Sequence, residues 1–139
     1  MLRNLAAYLI AVVAFGALDA VWLTQSFAHL YQPQIGQLTH TPEPVASLAF
    51  YLIYIFGMTR FGIVPSLGRA TGSRNVVIRA LINGACFGFV AYATYDLTNL
   101  ATLKGWTLTI SLADMAWGTF ATAVASAITT ALTRRIFKA

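Results

Sequence analysis

The chain has 139 residues, of which 58% are hydrophobic and only 9% are charged, and its mean hydropathy is +0.71. Since soluble domains carry about 25% charged residues, this composition excludes an ordinary soluble domain and predicts a single integral membrane domain over residues 1–139. The formal charge of +5 does not indicate nucleic-acid binding, because the basic residues form no patch interleaved with exposed aromatic side chains.

Four apolar stretches are long enough to span a bilayer, which needs about 20 residues. They predict an all-α membrane protein built as a four-transmembrane-helix bundle, with a loop over residues 27–44. We interpret the first stretch as a retained helix rather than a signal peptide, because no clean small-x-small cleavage site follows it. The predicted helices cover about 5–26, 45–64, 79–101 and 107–133.

The basic residues predict the orientation of the bundle. Eight of the nine Lys and Arg residues fall at the end that holds both termini and the connection between the second and third helices. Only Lys104 falls at the other end. The positive-inside rule therefore predicts cytoplasmic N- and C-termini. The eight residues are Arg3, Arg60, Arg69, Arg74, Arg79, Arg134, Arg135 and Lys138.

Three of the four acidic residues, Asp19, Asp96 and Asp114, lie inside the apolar stretches. An Asp at the centre of a membrane helix costs roughly 2.5 to 3.5 kcal/mol, so such a residue indicates a functional site by default. With a rise of about 1.5 Å per residue, all three fall in the outer leaflet. Because buried polar groups in lipid must find one another or water, we expect one shared polar layer.

Residues of the third and fourth helices repeat every four positions, which places them on one face of each helix. Gly84 and Gly88 form a GxxxG pair, which allows a neighbouring helix to approach closely. On the second helix, Tyr51 and Tyr54 lie at the depth of the carboxylates. The face of the third helix carries Gly84, Gly88, Tyr92 and Asp96, with Tyr95 and Asn99 beside them. The face of the fourth helix carries Asp114, Gly118, Thr122 and Ser126.

Two strings place a Trp three residues after an Asp: DAVWLT at 19–24 and DMAWGT at 114–119. This offset puts the acid and the indole of Trp22 or Trp117 on one helix face, so the ring could form the wall of a pocket whose acid binds a cation or a hydroxyl. As a repeat the match is weak, because three identities in six positions occur by chance. Tyr31 and Trp106 are predicted to belong to an interfacial aromatic belt.

Motifs for catalysis or metal binding are absent from the sequence, which has no HExxH, CxxC, GxSxG or phosphate-binding glycine loop. His29 and His40 both fall in the predicted loop, so we expect no metal, no haem and no other cofactor. Catalytic residues stay unknown.

Three strings resemble signatures of a family of predicted bacterial membrane proteins, the domain of unknown function 2177 (DUF2177). They are FYLIYIFG at 50–57, YATYDLTNLA at 92–101 and DMAWG at 114–118. With Asp19 and Trp22, the resemblance covers nearly the whole chain. It implies a four-helix, multi-pass protein of the bacterial inner membrane, and it implies no known activity, substrate or cofactor.

Together these residues predict a polar and aromatic cavity that opens to the periplasmic leaflet of the bilayer and binds or helps transport a small amphiphilic, lipid-like molecule. One alternative is an intramembrane enzyme that acts on a lipid-derived substrate through a carboxylate base. Another is an accessory subunit of a larger membrane complex. Small residues on the fourth helix are compatible with a homodimer. The predicted ligand-binding residues are Asp19, Trp22, Tyr51, Tyr54, Tyr92, Tyr95, Asp96, Asn99, Asp114 and Trp117.

Overall fold

The computed structural model describes residues 1–68 and 72–137. Within these residues the chain forms four helical segments, each long and apolar enough to cross a membrane. This confirms the predicted all-α architecture with four transmembrane helices. We call the segments spans 1 to 4; they cover Leu2–Leu38, Pro44–Leu67, Arg74–Thr102 and Leu108–Ile136.

Span 1 continues as helix beyond its predicted end at Ser26. An α-helix over Leu2–Ser26 is followed by a π-helical turn at Phe27–Tyr31, an α-helical turn at Gln32–Ile35 and a 3-10 turn at Gly36–Leu38. The prediction of a loop over 27–44 is therefore wrong for most of its length. The helix at the start of span 3 also begins earlier than predicted, at Ser73.

A proline follows each of the two π-helical turns. Phe27–Tyr31 ends two residues before Pro33, and Met58–Ile63 ends two residues before Pro65. Proline has no N–H group, and in a regular α-helix its ring collides with the carbonyl four residues earlier. A local π-helical turn changes the position of that carbonyl and lets the helix continue past the proline. This explains why span 1 does not end where its sequence becomes more polar.

Side-chain caps fix the starts of spans 2 and 4. The Glu43 carboxylate accepts hydrogen bonds from two backbone N–H groups of the first turn of span 2, at 2.6 and 3.2 Å. Thr107 accepts from the backbone of span 4 at 3.2 Å and donates to Gln34 Oε1 at 2.6 Å. Gly105, at φ 92°, closes the tight turn before Thr107 in a conformation that glycine adopts without steric cost.

Spans 3 and 4 pack closely along the glycine face. A Cβ atom at Gly84 would meet the backbone carbonyl of Thr122 and the hydroxyl of Ser126, and one at Gly88 would meet the carbonyl oxygen of Gly118. Only glycine leaves room for this approach of the two backbones. The GxxxG pair therefore has the packing role that the sequence predicts.

Span 2 packs against span 3 mainly through its π-helical turn at Met58–Ile63, whereas its first part, Pro44–Gly57, lies against span 1. The two ends of the bundle consequently differ. Around the termini, which we call the termini end, Phe15, Met58 and Ile63 are fully buried in an apolar core. At the opposite end, which holds residues 39–43 and Gly105 and which we call the hairpin end, the spans leave a cavity.

The basic side chains that the structure describes follow the predicted distribution between the two ends. Arg3, Arg74 and Arg135 are exposed near the termini end, and Lys104 is exposed in the turn at the hairpin end. Arg69 and Lys138, which also entered the prediction, lie outside the described residues. The side of the membrane that each end faces stays a prediction.

Candidate functional site

A cavity of about 650 Å³ lies in the hairpin half of the bundle, within the size range of small-molecule pockets. All four spans contribute to it, and aromatic side chains make up most of its wall. Its lining residues are Asp19, Trp22, Leu23, Tyr31, Ser47, Phe50, Tyr51, Tyr54, Ala91, Tyr92, Tyr95, Asp114 and Trp117.

Asp19 is held at the cavity wall by donors from two other spans. Its side chain is only 6% exposed. The Tyr51 hydroxyl donates to Oδ2, and the Trp117 indole N–H donates to Oδ1 at 3.4 Å. Hydrogen bonds of this kind offset part of the cost of burying a carboxylate in an apolar environment.

Asp114 is held by a chain of two hydrogen bonds from span 1. The Tyr31 hydroxyl donates to Asp114 Oδ1, and the Trp22 indole N–H donates to the Tyr31 oxygen at 2.9 Å. Such chains polarise their members and strengthen each bond. Asp114, like Asp19, is 6% exposed.

The two Asp-x-x-Trp strings interlock at the cavity wall. The rings of Trp22 and Trp117 stack with their centroids 4.7 Å apart and their planes 6° apart. Each indole serves the acid of the other string: Trp117 donates to Asp19 directly, and Trp22 reaches Asp114 through Tyr31. The three identities between residues 19–24 and 114–119 are too few to be significant as a sequence repeat. In the structure, however, the two strings form one unit across two antiparallel spans.

Tyr54 closes the cavity toward the termini end. Its hydroxyl donates to Thr122 Oγ1 at 2.6 Å, and Thr122 in turn donates to the Gly118 carbonyl. Its ring packs against Phe15 at 4.9 Å and against the edge of Tyr92 at 5.9 Å between centroids. The base of the cavity is thus an ordered aromatic layer.

A second, smaller cavity of about 360 Å³ adjoins the first toward the hairpin end. Asn99 lines this cavity and not the larger one. Tyr31, Tyr95 and Asp114 border both cavities, so the hydrogen bond between Tyr31 and Asp114 lies at the division between the two spaces.

A family model described as a predicted membrane protein (DUF2177) matches residues 4–131. The chain belongs to the DUF2177 family. The matched region includes every residue that lines the larger cavity. Comparison with curated proteins and with solved structures found no match to this DUF2177 chain.

Asp96 is the one predicted carboxylate of this DUF2177 protein that lines neither of the two described cavities. It is fully buried, and neither side-chain oxygen has a hydrogen-bond partner among the described residues. Its backbone carbonyl accepts from Ser111 of span 4 at 3.3 Å. Because Asp96 shares the face that carries Gly84 and Gly88, it is directed at span 4. The expectation that Asp96 joins Asp19 and Asp114 in one pocket is corrected accordingly.

Five cavity residues of this DUF2177 protein lie outside the predicted set, namely Leu23, Tyr31, Ser47, Phe50 and Ala91, and Tyr31 is the one that bonds to a predicted carboxylate. The sequence predicts Tyr31 in an interfacial aromatic belt, because aromatic residues cluster toward the outer half of the bundle. A signal was available, since Leu23, Phe27 and Tyr31 recur every four residues and continue the helix face beyond Ser26. Of the ten predicted binding residues, all except Asp96 and Asn99 line the larger cavity.

Proposed function

We propose that the larger cavity binds a small amphiphilic, lipid-like molecule and helps to retain or move it at the hairpin end of the bundle. The observation that supports this proposal is a cavity with two buried carboxylates that shares a wall residue, Trp117, with an apolar groove. The polar part fits a headgroup and the groove fits a hydrocarbon chain, so the pair of spaces matches the two halves of an amphiphile.

The burial of the two carboxylates is unfavourable, and contacts with a ligand would offset part of this free-energy cost. Insertion of Asp19 and Asp114 at membrane depth disfavours the bundle by roughly 2.5 to 3.5 kcal/mol each. Simple packing of the spans would be served as well by apolar residues. The two carboxylates instead lie around one cavity, where Tyr51, Tyr31 and Trp117 orient them, and this arrangement favours a binding role.

The apolar groove lies between spans 1 and 4 and has a volume of about 790 Å³. Trp117 borders both this groove and the cavity. From Leu9 to Val21 the groove follows span 1 for about 18 Å at the helical rise of 1.5 Å per residue. We assign it to the hydrocarbon chain of the bound amphiphile, because it is apolar and adjoins the headgroup space at Trp117. Its lining residues are Leu9, Ile10, Val13, Ala14, Ala17, Leu18, Val21, Trp117, Ile128 and Leu132.

We also propose a cytoplasmic position for the termini end, in a bacterial inner membrane, so that the cavity lies in the periplasmic leaflet. The support is the placement of the basic residues around the termini end. In a Cys86→Ser background, a membrane-impermeant maleimide added to intact cells should label Lys104→Cys and not Arg135→Cys. The opposite labelling would overturn the proposed orientation.

Native mass spectrometry of the protein extracted in a mild detergent tests the binding proposal. The wild type should retain a lipid-like adduct, and Ala91→Phe, which fills the cavity from span 3, should lose it. Ala20→Phe is the matched control, because Ala20 is exposed on span 1 and is not among the lining residues. An adduct retained equally by all three proteins would place the molecule outside the cavity and contradict the proposal.

A further inference from the structure

We propose that the ligand's headgroup carries a positively charged ammonium group. This inference rests on the proposed function and narrows its ligand class to cationic amphiphiles. It is carried by three properties of the cavity wall, namely donors that are already used within the protein, a carboxylate oxygen without a hydrogen bond among the described residues, and a surround of aromatic rings.

Most hydrogen-bond donors of the wall are already used within the protein. The Tyr51 hydroxyl and the Trp117 indole donate to Asp19, and the Tyr31 hydroxyl donates to Asp114. Trp22 donates to Tyr31, and Ser47 donates to a backbone carbonyl at 2.8 Å. A phosphate, sulfate or carboxylate headgroup needs donors, so this wall is poorly suited to an anion.

The acceptors, in contrast, are incompletely satisfied. Asp114 is 94% buried and lines the cavity, yet within the described chain its Oδ2 receives no hydrogen bond. The hydrogen bond from the Trp117 indole N–H to Asp19 Oδ1 is long, at 3.4 Å. Among the described residues that line the cavity there is no Lys, Arg or His to compensate the two carboxylates. A buried charge without a counter-charge is costly, and a cationic ligand would supply that counter-charge.

The aromatic rings distinguish an ammonium head from an uncharged hydroxyl head. Trp22, Phe50, Tyr54 and Tyr92 surround the space next to the two carboxylates. Aromatic rings attract ammonium groups through their quadrupoles, and more strongly where water is excluded. A hydroxyl could bond to Asp114 Oδ2 but would gain neither the charge interaction nor the cation–π contacts.

The side chains available for coordination also favour an organic cation over a metal ion. Within the part of the chain that the structure describes, no three His, Cys, Asp or Glu side chains come together. Ca²⁺ takes six to eight oxygen ligands and Mg²⁺ requires an octahedral set. Two carboxylates among aromatic rings suit an ammonium group better than either ion.

Intrinsic fluorescence provides the test, because Trp22 and Trp117 form the cavity wall. Trp106→Phe leaves these two as the only tryptophans of the chain. The protein, purified in a maltoside detergent, is titrated at pH 8 with dodecyltrimethylammonium and with dodecyldimethylamine N-oxide. The two ligands share the chain and the head shape, and only the first has a net charge. We expect the ammonium ligand to bind about tenfold or more tightly.

Two charge variants locate the effect. Asp114→Asn should abolish the preference for the ammonium ligand, and Glu43→Gln should retain it, because Glu43 is exposed outside the cavity and its loss changes the net charge equally. Equal saturable binding of both ligands, unchanged in Asp114→Asn, would overturn the cationic headgroup and leave the proposed function standing. Binding of neither ligand would overturn both. Competition by tetramethylammonium alone would support the ammonium site and contradict the need for a chain.

Discussion

Tyr31 and Asp114 lie 83 positions apart in the sequence and are joined by one side-chain hydrogen bond. The phenol oxygen also accepts the indole N–H of Trp22 at 2.9 Å. Tyr31 belongs to the π-helical turn that carries span 1 past Pro33. The bond therefore ties the irregular end of span 1 to the buried acid of span 4, at the division between the two cavities.

Removal of the Tyr31 hydroxyl should destabilise the bundle. Tyr31→Phe leaves the Asp114 carboxylate without its donor and the Trp22 N–H without its acceptor, so we expect a loss of about 1.5 to 3 kcal/mol in the free energy of unfolding. Tyr51→Phe is the matched control and should cost less, because Asp19 keeps the Trp117 donor. Unfolding measured by steric trapping in bicelles gives the comparison. Equal stability of Tyr31→Phe and wild type would show that this bond contributes nothing.

Two threonines of span 4 should respond oppositely to replacement by valine, which keeps the shape and removes the hydroxyl. Thr122 bonds to the Tyr54 hydroxyl at 2.6 Å and to the Gly118 carbonyl at 2.5 Å. Thr129 is fully buried, and its hydroxyl has no partner among the described residues. Thr122→Val should lose about 1 to 2 kcal/mol, and Thr129→Val should be neutral or stabilising. Thermal unfolding in one detergent would measure both, and the reverse order would contradict the assigned network.

The fold is predictable from the sequence because the membrane imposes a length requirement that hydropathy reads directly. Four apolar stretches and the GxxxG pair of Gly84 and Gly88 were sufficient for the number of spans and for the close packing of spans 3 and 4. The extension of span 1 was missed. Its residues 27–38 are more polar and contain Pro33, and these features outweigh the four-residue recurrence of Leu23, Phe27 and Tyr31 that continues the helix face.

The candidate site was predictable in depth, and in direction for eight of the ten predicted residues. The helical rise gives the level of Asp19, Asp96 and Asp114, since each residue adds about 1.5 Å along the span. A four-residue spacing shows which residues share a helix face, but the neighbour that each part of the face meets depends on tertiary packing. For Asp96 the glycine face turns the side chain toward span 4, whereas Asp19 and Asp114 face the cavity.

Glycine replacement should separate packing positions from open ones. A Cβ atom at Gly118 would overlap the ring of Tyr92, whereas one at Gly16 would meet nothing within 4 Å. Gly118→Ala should destabilise by about 1 to 3 kcal/mol and displace Tyr92 from the cavity wall. Gly16→Ala should be neutral or stabilising by about 0.5 to 1 kcal/mol, because it lowers the entropy of the unfolded chain. If unfolding experiments found the two variants alike, the close contact between spans 3 and 4 would be wrong.

Amide replacement should have opposite effects at Asp96 and Asp19. Both side-chain oxygens of Asp96 are buried without a described partner, so Asp96→Asn relieves the desolvation cost of a carboxylate and should raise the free energy of unfolding. In Asp19→Asn, the NH₂ group can donate to the Tyr51 oxygen and the remaining carbonyl can accept from Trp117, but both hydrogen bonds lose their charge assistance, so stability should fall by about 1 to 2 kcal/mol. Steric trapping of both variants in bicelles compares the signs. A loss of stability in Asp96→Asn as large as that in Asp19→Asn would mean that the Asp96 carboxylate is paired in the membrane.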